Sequence, residues 1–124
     1  MQNKTILTPF EQEIMLVIWD LPECDVRAVH TALNKHRQIA YTTVMTVMNR
    51  LVGKNILKRK KSVKKFLYIP LTSRKQAAHG ILQRFFPTIF DNYGQDGITA
   101  FAEEIGHIPK EEREQLKRML EDEA

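Results

Sequence analysis

The chain has 124 residues, 43% of them hydrophobic, which suits one domain or a compact domain with a smaller appendage. No apolar run is long enough to cross a bilayer, the single Cys24 excludes an intramolecular disulfide framework, and Met1-Gln2-Asn3-Lys4 leads into no signal-peptide core; a cytoplasmic protein without membrane insertion is expected. The net charge is +4, but fourteen bases and no acid lie between Asp25 and Asp91, whereas Asp91 to Ala124 holds ten acids against four bases, a net of −6.

"LTPFEQEIMLVIWD" opens a first helix. Thr8 is its N-cap, Pro9 fits the first helical position, and Glu11 completes a Thr-x-x-Glu capping box. Phe10, Ile14, Val17, Ile18 and Leu21 repeat at helical spacing, and Leu21-Pro22 stops the helix. "DVRAVHTALNKH" is a second helix, capped by Asp25, with Val26, Val29 and Leu33 as its buried stripe. "AYTTVMTVMNRLVGKN" is a third. Val44, Val47, Met48 and Leu51 form its core face; Thr42, Thr46, Asn49 and Arg50 lie largely opposite, with Thr43 and Met45 flanking. It ends near Lys54 with Asn55 in the left-handed cap position, Gly53 being the rival cap.

"ILKRKKSVKKFLYIPL" reads as two strands, Ile56 to Lys60 and Lys65 to Pro70, joined by a basic tip. Phe66 and Tyr68 alternate with Leu67 and Ile69. The tip lacks the Asn-Gly or Asp-Gly of a tight hairpin, so a longer tip is expected. Leu57, Phe66 or Leu67, and Ile69 are the expected anchors to the core. "TSRKQAAHGILQRFF" restarts a helix at a second capping box, Ser73 with Gln76, and Pro87 interrupts its apolar stripe. A short helix follows at about Ile98 to Ile105. Pro109 then opens a last one, with Glu111 and Glu112 in its positive first turn and Leu116, Met119 and Leu120 as its apolar stripe.

A field of one sign over a whole body is costly unless it serves a polyanion, and nucleic acid fits that need. An anionic membrane surface fits less well, because no helix pairs a basic face with large exposed apolars. The order of three helices, a hairpin and further helices is the outline of a winged helix-turn-helix followed by a C-terminal helical region. The fold expected is mainly α with a small β-hairpin, divided into a DNA-binding domain at 1–72 and a helical dimerisation region at 73–124.

In such a unit the second helix of the pair enters the major groove. Thr42, Thr43 and Thr46 offer short hydroxyls to base edges or phosphates, with Met45 beside them. Arg50 reaches a phosphate or a guanine, or else holds the helix by a local salt bridge. Tyr41 packs at the helix start or touches a phosphate. The wing carries Lys60, Lys61, Lys64 and Lys65 toward the backbone of the duplex, adding affinity with little sequence information. Ile81, Leu82, Phe85, Phe86, Ile89, Phe90, Phe101 and Ile105 exceed what small helices bury alone and point to a homodimer; Leu116, Met119 and Leu120 join them as dimerisation candidates. His30, His36, His79 and His107 have no metal-ligand spacing. No nucleophile–base arrangement, phosphate loop or paired-carboxylate site stands out, so neither an enzyme nor a cofactor is expected. An RNA-binding or protein-interaction winged helix is the alternative.

"L-T-x-x-E-x-E-I-M" at Leu7 to Met15, together with "A-Y-T-T-V-x-T-x-x-N-R-L" at Ala40 to Leu51 and "FLYIPLTSRKQA", resembles the penicillinase-repressor family, the BlaI/MecI/CopY transcriptional regulators. The resemblance runs from Leu7 to the end and is strongest over 7–77. It implies a homodimeric repressor at palindromic double-stranded DNA operators. In the beta-lactam branch it also implies a partner protease, linked to a membrane sensor, that cuts within the dimerisation region. Two departures matter. The copper-responsive branch ends in clustered cysteines, absent here, and Ala100-Phe101 stands where the family's cut falls at Asn-Phe. Asn55 also replaces the family's usual glycine cap.

Overall fold

The computed structural model describes residues 7–21 and 23–123. In chain order the elements are α1 (Pro9–Trp19), α2 (Val26–Asn34), α3 (Tyr41–Gly53), β1 (Leu57–Lys61), β2 (Phe66–Pro70), α4 (Arg74–Ile105) and α5 (Lys110–Glu123). They fall into two compact units, Met1–Ile81 and Leu82–Ala124.

The capping signals of the first unit all form. The Thr8 hydroxyl accepts from the Glu11 N–H at 3.2 Å while Glu11 Oε1 accepts from the Thr8 N–H at 2.9 Å. Asp25 Oδ1 caps α2 by accepting from the Ala28 N–H at 2.9 Å. Pro22, expected to stop α1, lies outside the described residues. The apolar stripes meet as one core. Ile14 and Ile18 of α1, Val26, Val29 and Leu33 of α2, and Val44, Val47, Met48 and Leu51 of α3 are all buried. Met15, which lies off the expected stripe, is fully buried too; Phe10, Val17 and Leu21, which lie on it, pack only at the core's edge. Each large side chain so buried contributes about 1.5–3 kcal/mol relative to exposure.

The end of α3 turns the chain into the wing. Asn55 has φ +63°. Around it the Ile56 N–H donates to the Leu51 carbonyl and the Asn55 N–H to the Val52 carbonyl, both at 3.0 Å. These are the two bonds of a Schellman cap, and buried Leu51 and Ile56 supply the apolar contact that accompanies it. Asparagine holds the left-handed position that Gly53 was the rival to supply.

Strands β1 and β2 pair antiparallel from Leu57↔Pro70 to Lys61↔Phe66. The loop between them, Ser62 to Lys65, is longer than a tight two-residue hairpin, as expected, and lies one residue further along the chain; the Ser62 N–H closes it by donating to the Lys65 carbonyl at 2.8 Å. The wing's anchor also differs from expectation. Leu57 is buried, but its partner in the core is Tyr68 (2% exposed), while Phe66 is 43% exposed and Leu67 and Ile69 are half-buried. Phe66 and Tyr68 share a face; Tyr68 lies over the core because its backbone pairs with Cys24 in a short bridge, whereas Phe66 lies out toward the tip. There the Arg59 guanidinium covers it, 4.6 Å from the ring centroid. Cys24 is buried, and burial with the neighbouring Asp25 charge pushes its thiol up to about 11.

The capping box of Ser73 and Gln76 forms at the start of α4. Pro87, which interrupts the apolar stripe, does not break the helix itself; its ring costs the helix one N–H and the chain stays helical. The break comes at Gly94, with φ +56° and ψ −130°, a conformation essentially reserved for glycine. Beyond it, a Cβ on Gly97 would collide with the Ile89 backbone carbonyl, so the two arms of α4 meet at glycine. Phe86 and Phe90 stand against Phe101 at centroid distances of 5.5 and 5.9 Å. None of the described residues of α5 is buried.

The Asn55 cap is testable. Asn55→Val should lower unfolding stability by about 1–2 kcal/mol, because a β-branched residue cannot hold the left-handed conformation cheaply, while Asn55→Gly should not lower it. Urea denaturation of the two variants measures the difference.

Candidate nucleic-acid interface

Helix α3 is divided along its length. Its buried face holds it to α1 and α2, and Thr42, Thr43, Met45 and Thr46 are exposed on the other side. The face expected from the sequence is therefore present as a surface of short side chains on a fixed helix. The turn before it is pinned: the Ile39 N–H donates to Asn34 Oδ1 at 2.8 Å, and His30 Nε2 donates to the Ile39 carbonyl at 2.7 Å. Tyr41 is 44% exposed and meets the His30 ring edge-on, 5.6 Å between centroids. It thus packs at the helix start and still presents its outer side to solvent.

The wing is tied to α3 through Asn49. Its Oδ1 accepts from the Tyr68 hydroxyl at 2.9 Å and from Arg59 Nη1 at 3.2 Å. Asn49 therefore spans to the wing rather than standing free on the outer face. Between the starts of α2 and α3 and the wing lies a cleft of about 490 Å³, lined by Asp25, Arg27, Tyr41, Met45, Lys65 and Phe66 among others. Lys60, Lys61, Lys64 and Lys65 are all exposed around the wing's end. Arg27 was missed as a site candidate; its position two residues past the Asp25 cap was the available signal.

Arg50 takes the second of its two expected roles in the free protein. Its Nε donates to Glu11 Oε2 at 3.0 Å, and Lys54 Nζ donates to both Glu11 oxygens at 2.8 and 2.9 Å. Glu11 is fully buried. Burial alone would raise its pKa; Lys54, the Thr8 N–H and Arg50 outweigh that and hold the carboxyl below its ordinary value. One side chain thus caps α1 and ties it to the C-terminal turn of α3. Sequence reasoning found only the cap. The added signal was the scarcity of acids: few carboxylates precede a long acid-free stretch, so each has bases to meet.

In the second unit, Phe86, Ile89, Phe90 and Ile105 are half-buried, while Leu82, Phe85, Phe101, Leu116, Met119 and Leu120 remain exposed. Phe85, Phe101 and Ile105 help line one apolar groove of about 460 Å³, and Leu116 and Leu120 another of about 350 Å³. Ile81 falls in the first unit and is 50% exposed. Ala100-Phe101 lies within the helical arm after Gly94. Among the described residues no cluster of His, Cys, Asp or Glu could hold a metal ion, and no helix is long and apolar enough to cross a membrane.

Three helices with a paired turn between α2 and α3, followed by the hairpin, define a winged helix-turn-helix protein. The sequence pattern of the penicillinase repressor family matches residues 7–122, and the chain belongs to that family. It is 32% identical over 122 residues to the transcriptional regulator BlaI of Mycobacterium tuberculosis, covering 97% of this chain and 86% of that protein. Among solved structures it is similar to the DNA-binding domain of the repressor BlaI, with TM-score 0.54 and 26% identity over 61% of this chain and 93% of that one. It is also similar to the Bacillus licheniformis BlaI monomeric form in complex with the blaP half-operator, with TM-score 0.51 and 27% identity over 57% of this chain and 87% of that one.

Glu11→Gln keeps the capping box but removes the charge. It should cost about 1–3 kcal/mol at neutral pH, the scale of hydrogen bonds to a charged group. Because the folded carboxyl titrates below its unfolded value, its contribution is present above the unfolded pKa and lost as pH falls through the folded one. The gap between variant and wild type should therefore close on acidification below about pH 4, read by denaturant melts across pH.

Proposed function

We propose that this protein is a homodimeric, cytoplasmic transcriptional repressor that binds a palindromic duplex operator, reading sequence with α3 and holding phosphates with the wing. The observation that carries this reading is the division of α3. One face is buried without remainder, and the other presents Thr42, Thr43 and Thr46 beside a cleft rimmed by Arg27, Lys64 and Lys65. Short hydroxyl side chains permit close approach to base edges, and a threonine methyl packs on a thymine methyl. Exposed cations at the wing suit a polyanion and supply the sequence-independent part of the affinity. The operator-bound relative supports the choice of duplex DNA over structured RNA or a protein partner.

Homodimerisation is supported by the second unit. Its aromatic cluster leaves Phe85 and Phe101 47% and 37% exposed, and α5 carries Leu120 at 70%. A helical segment with this much uncovered apolar surface is stabilised by a second copy of itself. A two-fold dimer then matches a palindrome, each first unit taking one half-site. Nothing in this mechanism needs a catalytic step or a cofactor.

The test is selection of bound duplexes from a random pool, followed by footprinting and sedimentation. A palindromic site protected by a dimer is expected; preference for structured RNA, or no duplex binding, would overturn the reading. On the selected site, Thr46→Ala should weaken operator binding by about 1 kcal/mol or more and leave random duplex nearly unaffected. Replacing Lys60, Lys61, Lys64 and Lys65 with alanine should weaken both. It should also flatten the log–log salt slope by about 0.9 for each phosphate that the wing no longer neutralises.

A further inference from the structure

Every acid of the first unit stands beside a base. Glu11 meets Arg50 and Lys54, Glu13 meets Arg37, and Asp20 meets Arg74. The remaining two, Glu23 and Asp25, are set against the wing: Lys60 Nζ is 3.7 Å from Glu23 Oε2, and Lys65 Nζ is 3.1 Å from Asp25 Oδ2. The first three acids lie on α1 or at its C-cap and pair with bases outside the wing, only Glu11 among them being buried. The last two engage cations assigned above to phosphate.

Asp25 is the more consequential of the two. Its Oδ1 is fixed by the Ala28 N–H, and its side chain is 21% exposed where that of Lys65 is 58% exposed. An ordinary surface ion pair is weak because two flexible side chains must be ordered together. Here the carboxylate is already ordered by its capping bond, so only the lysine loses freedom. Asp25 also lines the cleft between α3 and the wing, the surface that a duplex would cover. A capped carboxylate cannot swing away when a phosphate approaches Lys65, and the two anions compete for one ammonium.

We propose that Asp25, seconded by Glu23, is an internal counter-ion of the wing that weakens the protein's sequence-independent hold on DNA. This inference rests on the wing reading above. Its consequence is specific to linkage: a lysine neutralised within the protein recruits fewer phosphates and releases fewer counter-ions on binding. Asp25 acts on DNA through Lys65 and is a positioning residue.

The experiment uses the full chain and a random-sequence duplex at several salt concentrations. Asp25→Asn keeps an effective helix cap and removes the charge. It should bind about two- to fivefold more tightly at low salt, the range of an exposed ion pair, with a salt slope steeper by up to about 0.9. Asp25→Ser, also a good cap, should do the same. In a Lys65→Ala background, Asp25→Asn should leave the slope where it was, and Glu13→Gln, on the far ion pair, should leave affinity and slope unchanged. If Lys65→Ala weakens binding while Asp25→Asn and Asp25→Ser match wild type, the counter-ion inference falls and the wing reading stands. If Lys65→Ala has no effect either, both fall.

Discussion

The buried carboxylate of Glu11 is the point on which the first unit turns. A charge with no exposure survives only when paired and hydrogen-bonded, and here Lys54, Arg50 and the Thr8 N–H do both. The result is a strut between the first turn of α1 and the last turn of α3. Helix α3 is held besides by its buried apolar face and by the bonds of Asn49 to the wing. A bonded ion at one end fixes register and rotation. The exposed threonines of α3 then point in one direction, which a helix that reads base edges requires.

The other end of that constraint is the wing. Asn49 on α3 accepts from both Tyr68 and Arg59, Arg59 covers Phe66, and Tyr68 exchanges backbone bonds with Cys24. Helix α3 and the hairpin are thereby spaced by short bonds rather than by a flexible linker. Under the proposed function, base readout and backbone grip would be coupled, so that the phosphates held by the wing would set which bases α3 reaches.

Local signals are legible in the sequence wherever one element decides its own structure. The capping boxes at Thr8 and Ser73, the Asp25 cap, the left-handed Asn55 and the four-residue core face of α3 all follow from spacing and side-chain chemistry. What escapes depends on partners far along the chain. Tyr68 rather than Phe66 anchors the wing because Cys24, forty-four residues earlier, pairs with its backbone. Arg50 bonds Glu11 across thirty-nine residues. Pro87 removes a donor, yet a helix tolerates one missing bond more easily than a residue with a side chain tolerates the backbone angles at Gly94. The threonine face is legible as a surface; the proposal that duplex DNA occupies it draws on the charge pattern and the family resemblance together.

The unequal charge of the chain takes on a meaning once both units are considered separately. A first unit optimised only for phosphate would bind any duplex, and a genome offers far more random sites than operators. Carboxylates at Glu23 and Asp25, set against the wing lysines, lower that background without touching α3. The weaker each single unit becomes, the more occupancy depends on two units acting at once, since joined half-sites gain from effective concentration what each lacks in affinity. On this reading the uncovered apolar surface of the second unit and the counter-ions of the first serve the same end. Separation of the proposed dimer would then release the DNA, with no change needed at α3 itself.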